Sequence, residues 1–143
     1  VQPSPKKRAE APLPYRRFRS LDGADLLVGR GSKHNDALTF RVARGRDIWL
    51  HTRDAPGAHV IVRVTGSTAP AHETLLDAAT LAGWNSKLKG EALIDVTWTE
   101  RKHVRKPPGA PPGRVTIANG RTITVRMDKA RIDRLYADAP PAQ

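Results

Sequence analysis

The sequence predicts an α+β domain: a mostly antiparallel sheet with one long helix packed on it and a short additional helix. Three observations carry this. Short strand-like runs recur along the chain and are separated by Gly, Pro, Asn and Asp turn signals. A single stretch, residues 70–89, has a long apolar helical stripe. Asn119-Gly120 between two further short strand runs is a strong antiparallel hairpin signal.

The elements follow in order. Residues 1–14, VQPSPKKRAEAPLP, lack an apolar period and read as a disordered Pro/Lys-rich leader or interdomain linker. Tyr15–Ser20 and Asp25–Gly29 flank the turn signal Asp22-Gly23, which predicts a hairpin over 15–29. Gly29-Arg30-Gly31-Ser32 is a flexible basic loop, and Asn35 or Asp36 is placed to cap a short helix over 36–43. Ile48–Leu50 and Val60–Val62 are apolar runs on either side of Pro56-Gly57, a second hairpin. Pro70 and Glu73 suit a first helical turn, and the stripe of Leu75, Ala78, Ala79 and Ala82 carries the helix to Lys89, where Gly90 stops it. Ala92–Thr99 alternates as a strand. Arg114–Ala118 and Thr122–Arg126, joined at Asn119-Gly120, predict a third hairpin. Residues 128–136 suggest a closing helix, and 137–143, ADAPPAQ, a disordered tail.

Composition narrows the function. The 143 residues suit one domain over 15–136. Lys and Arg number 25 against 14 Asp and Glu, a formal net charge of +11, which favours a polyanionic partner, nucleic acid before membrane. The absence of cysteine excludes disulfides, thiolate metal sites and cysteine nucleophiles, and fits a cytoplasmic protein. No apolar run approaches the ~20 residues that span a bilayer. The chain opens on Val1 rather than Met, as expected of a processed or partial chain.

Residues 47–63, DIWLHTRDAPGAHVIVR, hold the densest chemistry. Strand periodicity puts Asp47, Trp49, His51 and Arg53 on one face, with Ile48 and Leu50 on the other. An acid, an indole, an imidazole and a guanidinium make a poor core and a plausible place to stack and hydrogen-bond an anionic ligand. His51 and His59 with Asp47 or Asp54 would be the best metal set, but there is no helical HxxxH pair and no thiolate, so neither metal nor cofactor is expected. Ser32, Ser67 and Ser86 lie in no nucleophile motif. Glycine spacing at 29–33 matches no nucleotide fingerprint and suits a nucleic-acid phosphate better. The run Arg101, Lys102, His103, Arg105, Lys106 is the strongest basic cluster. Of the tryptophans, Trp84 and Trp98 share faces with apolar residues and read as core; only Trp49 has mostly polar neighbours on its face.

These motifs resemble the NFACT-R domain, the RNA-associated domain of the NFACT proteins of ribosome quality control. The resemblance rests on Asp22-Gly23, Val28-Gly29-Arg30, Asn35-Asp36, Asp47-Ile48-Trp49-Leu50-His51 and Pro56-Gly57-Ala58-His59-Val60-Ile61. The Ala-rich helix ending at Ser86-Lys87, then Lys102-His103-Val104-Arg105-Lys106 and Pro112-Gly113-Arg114-Val115, complete it over roughly 15–127. Gly31, His34 and Trp84-Asn85 depart from the family's usual residues. The other domains of full NFACT proteins have no counterpart in this sequence, which leaves a fragment or a stand-alone domain. The resemblance implies binding to tRNA or ribosomal RNA, at the large ribosomal subunit and away from membranes. The expected RNA contacts are Arg30, Lys33, Asn35, Asp36, Asp47, Trp49, His51, Arg53, His59, Ser86, Lys87, Lys102, His103, Arg105 and Lys106. Two alternatives stay open: RNA modification or processing at His51 and His59 with Asp47 as orienting carboxylate, and a protein-interaction module.

Overall fold

A computed structural model describes residues 13–141. Most of the leader expected over 1–14 therefore lies outside the described residues. Six strands form one antiparallel sheet in the order β1 (Tyr15–Arg19), β2 (Asp25–Gly29), β4 (Val60–Val62), β3 (Ile48–Thr52), β5 (Leu93–Glu100), β8 (Arg121–Arg126). Three helices accompany it: α1 (Ser32–Ala37), α2 (His72–Trp84) and α3 (Lys129–Ala137). The α+β expectation is met. Both early hairpins form, with Phe18 opposite Leu26 and Trp49 opposite Ile61.

The sheet is covered on both faces. On one, Phe18, Leu26, Leu50, Val62, Ile94 and Val96 pack under α2, whose Ala78, Ala79 and Ala82 allow close approach, and Leu135 of α3 joins them. Buried Asp77 of α2 accepts from the guanidinium groups of Arg131 and Arg134, each at 2.6 Å, and from the Leu21 amide at 3.0 Å. A charge this deep needs such partners, and they bolt α3 and the β1–β2 turn to α2. On the other face, Leu27, Trp49 and Ile61 are covered by Leu38 and Val104. Leu38 opens a widened, π-type turn over Leu38–Val42 that continues α1.

Several boundaries differ from expectation. The short helix begins at Ser32, so Asn35 and Asp36 lie inside it and not at its cap. The long helix ends at Trp84, because Asn85 leaves helical geometry and the chain turns back to pair Ser86 with Gly57. The Asn119-Gly120 hairpin does not form. β7 (Thr116–Ile117) pairs with β6 (Val104–Arg105) in a separate two-stranded sheet, while β8 pairs with β5. The Thr99 hydroxyl, donating to the Ala118 carbonyl at 2.9 Å, holds the chain where it crosses between sheets.

Candidate nucleic-acid interface

The period-2 reading of β3 holds: Trp49 and His51 share a face. That face is not a ligand surface, because the π-type turn and β6 cover it. Trp49 is only 4% exposed, and its indole Nε1 is buried with no partner among the described residues. Asp47 is buried as well. Its carboxylate accepts from the backbone amides of Arg44 at 2.8 Å and Val64 at 3.0 Å, with Arg63 at 3.8 Å. It fixes the entry to β3 and the exit from β4. Arg53 is exposed and faces Asp54 at 3.6 Å.

His59 is 1% exposed and both ring nitrogens are engaged. Nε2 lies 3.0 Å from the Gly113 carbonyl, which can only accept, so Nε2 carries the proton and Nδ1 accepts from the Thr39 hydroxyl at 2.8 Å. Burial, then the His51 ring beside it, pushes its pKa down to about 4. His51 is half-buried, stacks on Trp49 with ring centroids 5.9 Å apart, and is also held below the ordinary histidine range by burial. A general acid or base needs a free nitrogen facing a substrate, and His59 has none. Among the described residues no three metal-ligating side chains gather.

The other motif residues bind chain to chain. The amide oxygen of Asn35 accepts from the His59 backbone N–H at 3.1 Å. Gly29 makes room for it: a Cβ there would sit 1.9 Å from that oxygen. Gly57 does the same for Ser86, whose Cβ would be 2.7 Å from an added Cβ. The Ser86 hydroxyl donates to the Gly83 carbonyl at 2.8 Å. Asp36 accepts from the Gly113 amide at 3.0 Å and pairs with Lys106 at 3.1 Å. Lys106 also donates to the carbonyls of Pro111 and Arg114. Buried Asn35, Asp47, Trp49 and His59 thus serve the scaffold, where direct RNA contact was expected of them; half-buried Asp36, Ser86 and Lys106 are engaged within the chain but reach the surface.

The basic run is correspondingly divided. It is not a continuous extended segment: residues Arg101–His103 make a tight 3₁₀ turn before β6. Arg101 donates to the Thr39 carbonyl and lies over Phe40, with its guanidinium 4.7 Å from the ring centroid. Lys102 is exposed beside Glu100 at 3.4 Å, and half-buried His103 meets the Asn119 amide at 3.3 Å. Arg105 is exposed.

What remains open to solvent is a basic surface around α1. On one side a depression of about 520 Å³ is lined by Arg16, Arg30, Gly31, Ser32 and Asn85. On the other, one of about 580 Å³ is lined by Lys33, Phe40, Arg41 and Lys106. Arg16, Arg30, Lys33 and Arg41 are exposed and have no carboxylate partner among the described residues. Lys87 is exposed, with its backbone amide bonded to the Pro56 carbonyl at 3.0 Å. Sequence reasoning missed Arg16 and Arg41. No local signal marked them: Arg16 lies 13 positions before Gly29 and Arg41 nine after Ser32, and only the fold brings them beside the glycine-rich loop.

Fold and surface together define a small, strongly basic α+β module with a group of exposed cations on and around a short helix. The chain belongs to the family described as the NFACT protein RNA binding domain, which matches residues 14–119. Curated relatives include the Rqc2 homolog RqcH of Bacillus subtilis (strain 168), 42% identical over 82% of this chain, and that of Streptococcus suis (strain 05ZYH33), 37% identical over 81%. The chain spans only about a fifth of their length, 20% and 21%. A solved structure described as the C-terminal part of the fibronectin/fibrinogen-binding protein from Streptococcus suis superposes with a TM-score of 0.81 at 32% identity. That match covers 94% of this chain and 54% of the other. No described helix is long and apolar enough to cross a membrane.

Proposed function

We propose that this domain holds tRNA or ribosomal RNA by its phosphate backbone, with α1 and its flanking loops as the contact surface, and that it serves ribosome quality control in the cytoplasm at the large subunit. The observation that carries the reading is the placement of four exposed cations with no carboxylate partner among the described residues, Arg16 (over the Phe18 and Tyr136 rings) and Arg30 on one side of α1 and Lys33 and Arg41 on the other. Such contacts position a strand without reading its sequence. The similarity to RqcH proteins supports the link to quality control. A second reading, a protein-interaction module, is favoured by the likeness to the fibronectin/fibrinogen-binding protein.

A titration of labelled single-stranded RNA against salt tests the proposal. Neutralising about 4–6 phosphates gives a log–log slope of about −3 to −4. Changing Arg30, Lys33 and Arg41 together to Ala removes three contacts and should flatten the slope by about 2, equally for unrelated RNA sequences. An unchanged slope moves the surface elsewhere. Absence of RNA binding at low salt, with retention on immobilised fibronectin, favours the second reading.

A further inference from the structure

The sheet face that carries α2 has a second feature, away from α1. At the start of β3 and the end of β5 lies a cleft of about 630 Å³, a size that accepts a small planar ligand. Its floor is apolar, made by Ile48, Val64, Leu75 and the half-buried Trp98. Its rim carries Arg46, His103 and Arg121, with Glu100 beside them neutralised by Lys102 at 3.4 Å. The β5–β8 register sets Trp98 opposite Arg121, so both side chains leave the sheet on the same side, and the guanidinium stands 5.4 Å from the indole centroid. Arg46 and Arg121 are exposed and have no carboxylate partner among the described residues.

We propose that this cleft takes one unpaired nucleobase of the bound RNA, stacked on Trp98 in place of the Arg121 guanidinium, which moves to an adjacent phosphate beside Arg46. A nucleobase has apolar faces and joins to a negatively charged backbone, which matches an indole floor inside a cationic rim. Arg41 lines the α1 depression and Arg46 the cleft rim, five positions apart on the chain with exposed Arg44 between them. This inference rests on the RNA-binding reading and adds to it a stacking site on the opposite sheet face.

The test uses the 143-residue chain and a uridine-rich single-stranded RNA carrying 5-bromouridine, irradiated and mapped by peptide mass spectrometry. The expected adduct is on Trp98, within the tryptic peptide 90–101. Trp98→Leu should weaken RNA binding by about 5- to 150-fold while leaving the salt slope unchanged, because a stack is lost and no phosphate contact is. Arg121→Ala, at an exposed position, guards against a folding defect and should weaken binding and remove part of the slope. RNA binding with wild-type affinity in Trp98→Leu, or adducts confined to residues 29–41, overturns the cleft and leaves the α1 surface standing. No RNA binding by the wild-type chain overturns both.

Discussion

His59 should make folding stability fall as the solution turns acidic. The folded ring is buried between Thr39 and Gly113 and is pushed down to about 4, from 6.5. Between these values the unfolded chain binds a proton that the folded chain does not, so stability rises with pH across the window and is lost on acidification. The full effect is (6.5 − 4) pK units at about 1.36 kcal/mol each, or about 3 kcal/mol, of which about 2 kcal/mol is gone at pH 5. Urea unfolding at pH 7.5, 6 and 5 gives the stability curve. His59→Gln supplies the comparison, since Gln keeps one N–H donor and one acceptor and does not titrate. The variant should be less stable at pH 7.5 and should lose about 2 kcal/mol less than the wild type on going to pH 5. Equal losses in both proteins, or an imidazole NMR titration of His59 centred near pH 6.5, would refute the reasoning.

Two further predictions concern the neighbourhood of this ring. Trp49→Ala truncates a residue of the second core and should cost about 3–5 kcal/mol of stability, with RNA affinity per folded molecule unchanged; loss of affinity in the folded fraction would restore Trp49 to the binding surface. Gly29→Ala places a Cβ 1.9 Å from the Asn35 side-chain oxygen and should cost about 2–4 kcal/mol by displacing the group that accepts from the His59 amide. Adding Asn35→Ala to Gly29→Ala should recover part of that loss, and additive costs in the double-mutant cycle would show that the two do not meet.

How far the sequence could be read follows from the range of the interactions. The 15–29 and 48–62 hairpins were legible because turn residues and strand alternation are local signals. So was the shared face of Trp49 and His51. What covers that face was not legible: Leu38 precedes it by 11 positions and Val104 follows it by 55, and neither announces its partner. Polar residues on a strand therefore read as solvent-facing when their partners are backbone groups of distant loops, such as the Val64 amide for Asp47 and the Gly113 carbonyl for His59. Asn119-Gly120 shows the converse. Its local signal is strong and its backbone does turn, with Asn119 at a φ of 55°, but β5 offered β8 a six-residue ladder that a short local hairpin could not match. The Asp77 cluster had a trace in sequence, an acid inside an apolar helical stripe and two arginines three residues apart, but nothing local joins positions 77 and 131.

The buried polar residues explain how so short a helix can present charge to a ligand. Six residues of α1 are too few to hold helical structure in water unaided, and no side chain caps its N-terminus. Asn35 ties the helix to the β3–β4 loop through the His59 amide. Asp36 ties it to the Gly113 turn and to Lys106, and Thr39 ties the turn that follows to His59 and Arg101. Each bond fixes main chain beside an exposed cation: Arg30 and Lys33 before Asn35, Arg41 after Thr39, Lys87 after Ser86. Holding those backbone positions in advance lowers the ordering cost that an RNA contact would otherwise carry. On this account, breaking the Asn35 bonds by Asn35→Ala should weaken RNA binding without removing a single phosphate contact. The salt slope would then stay near its wild-type value while affinity falls, a signature opposite to that of the Arg30, Lys33 and Arg41 substitutions.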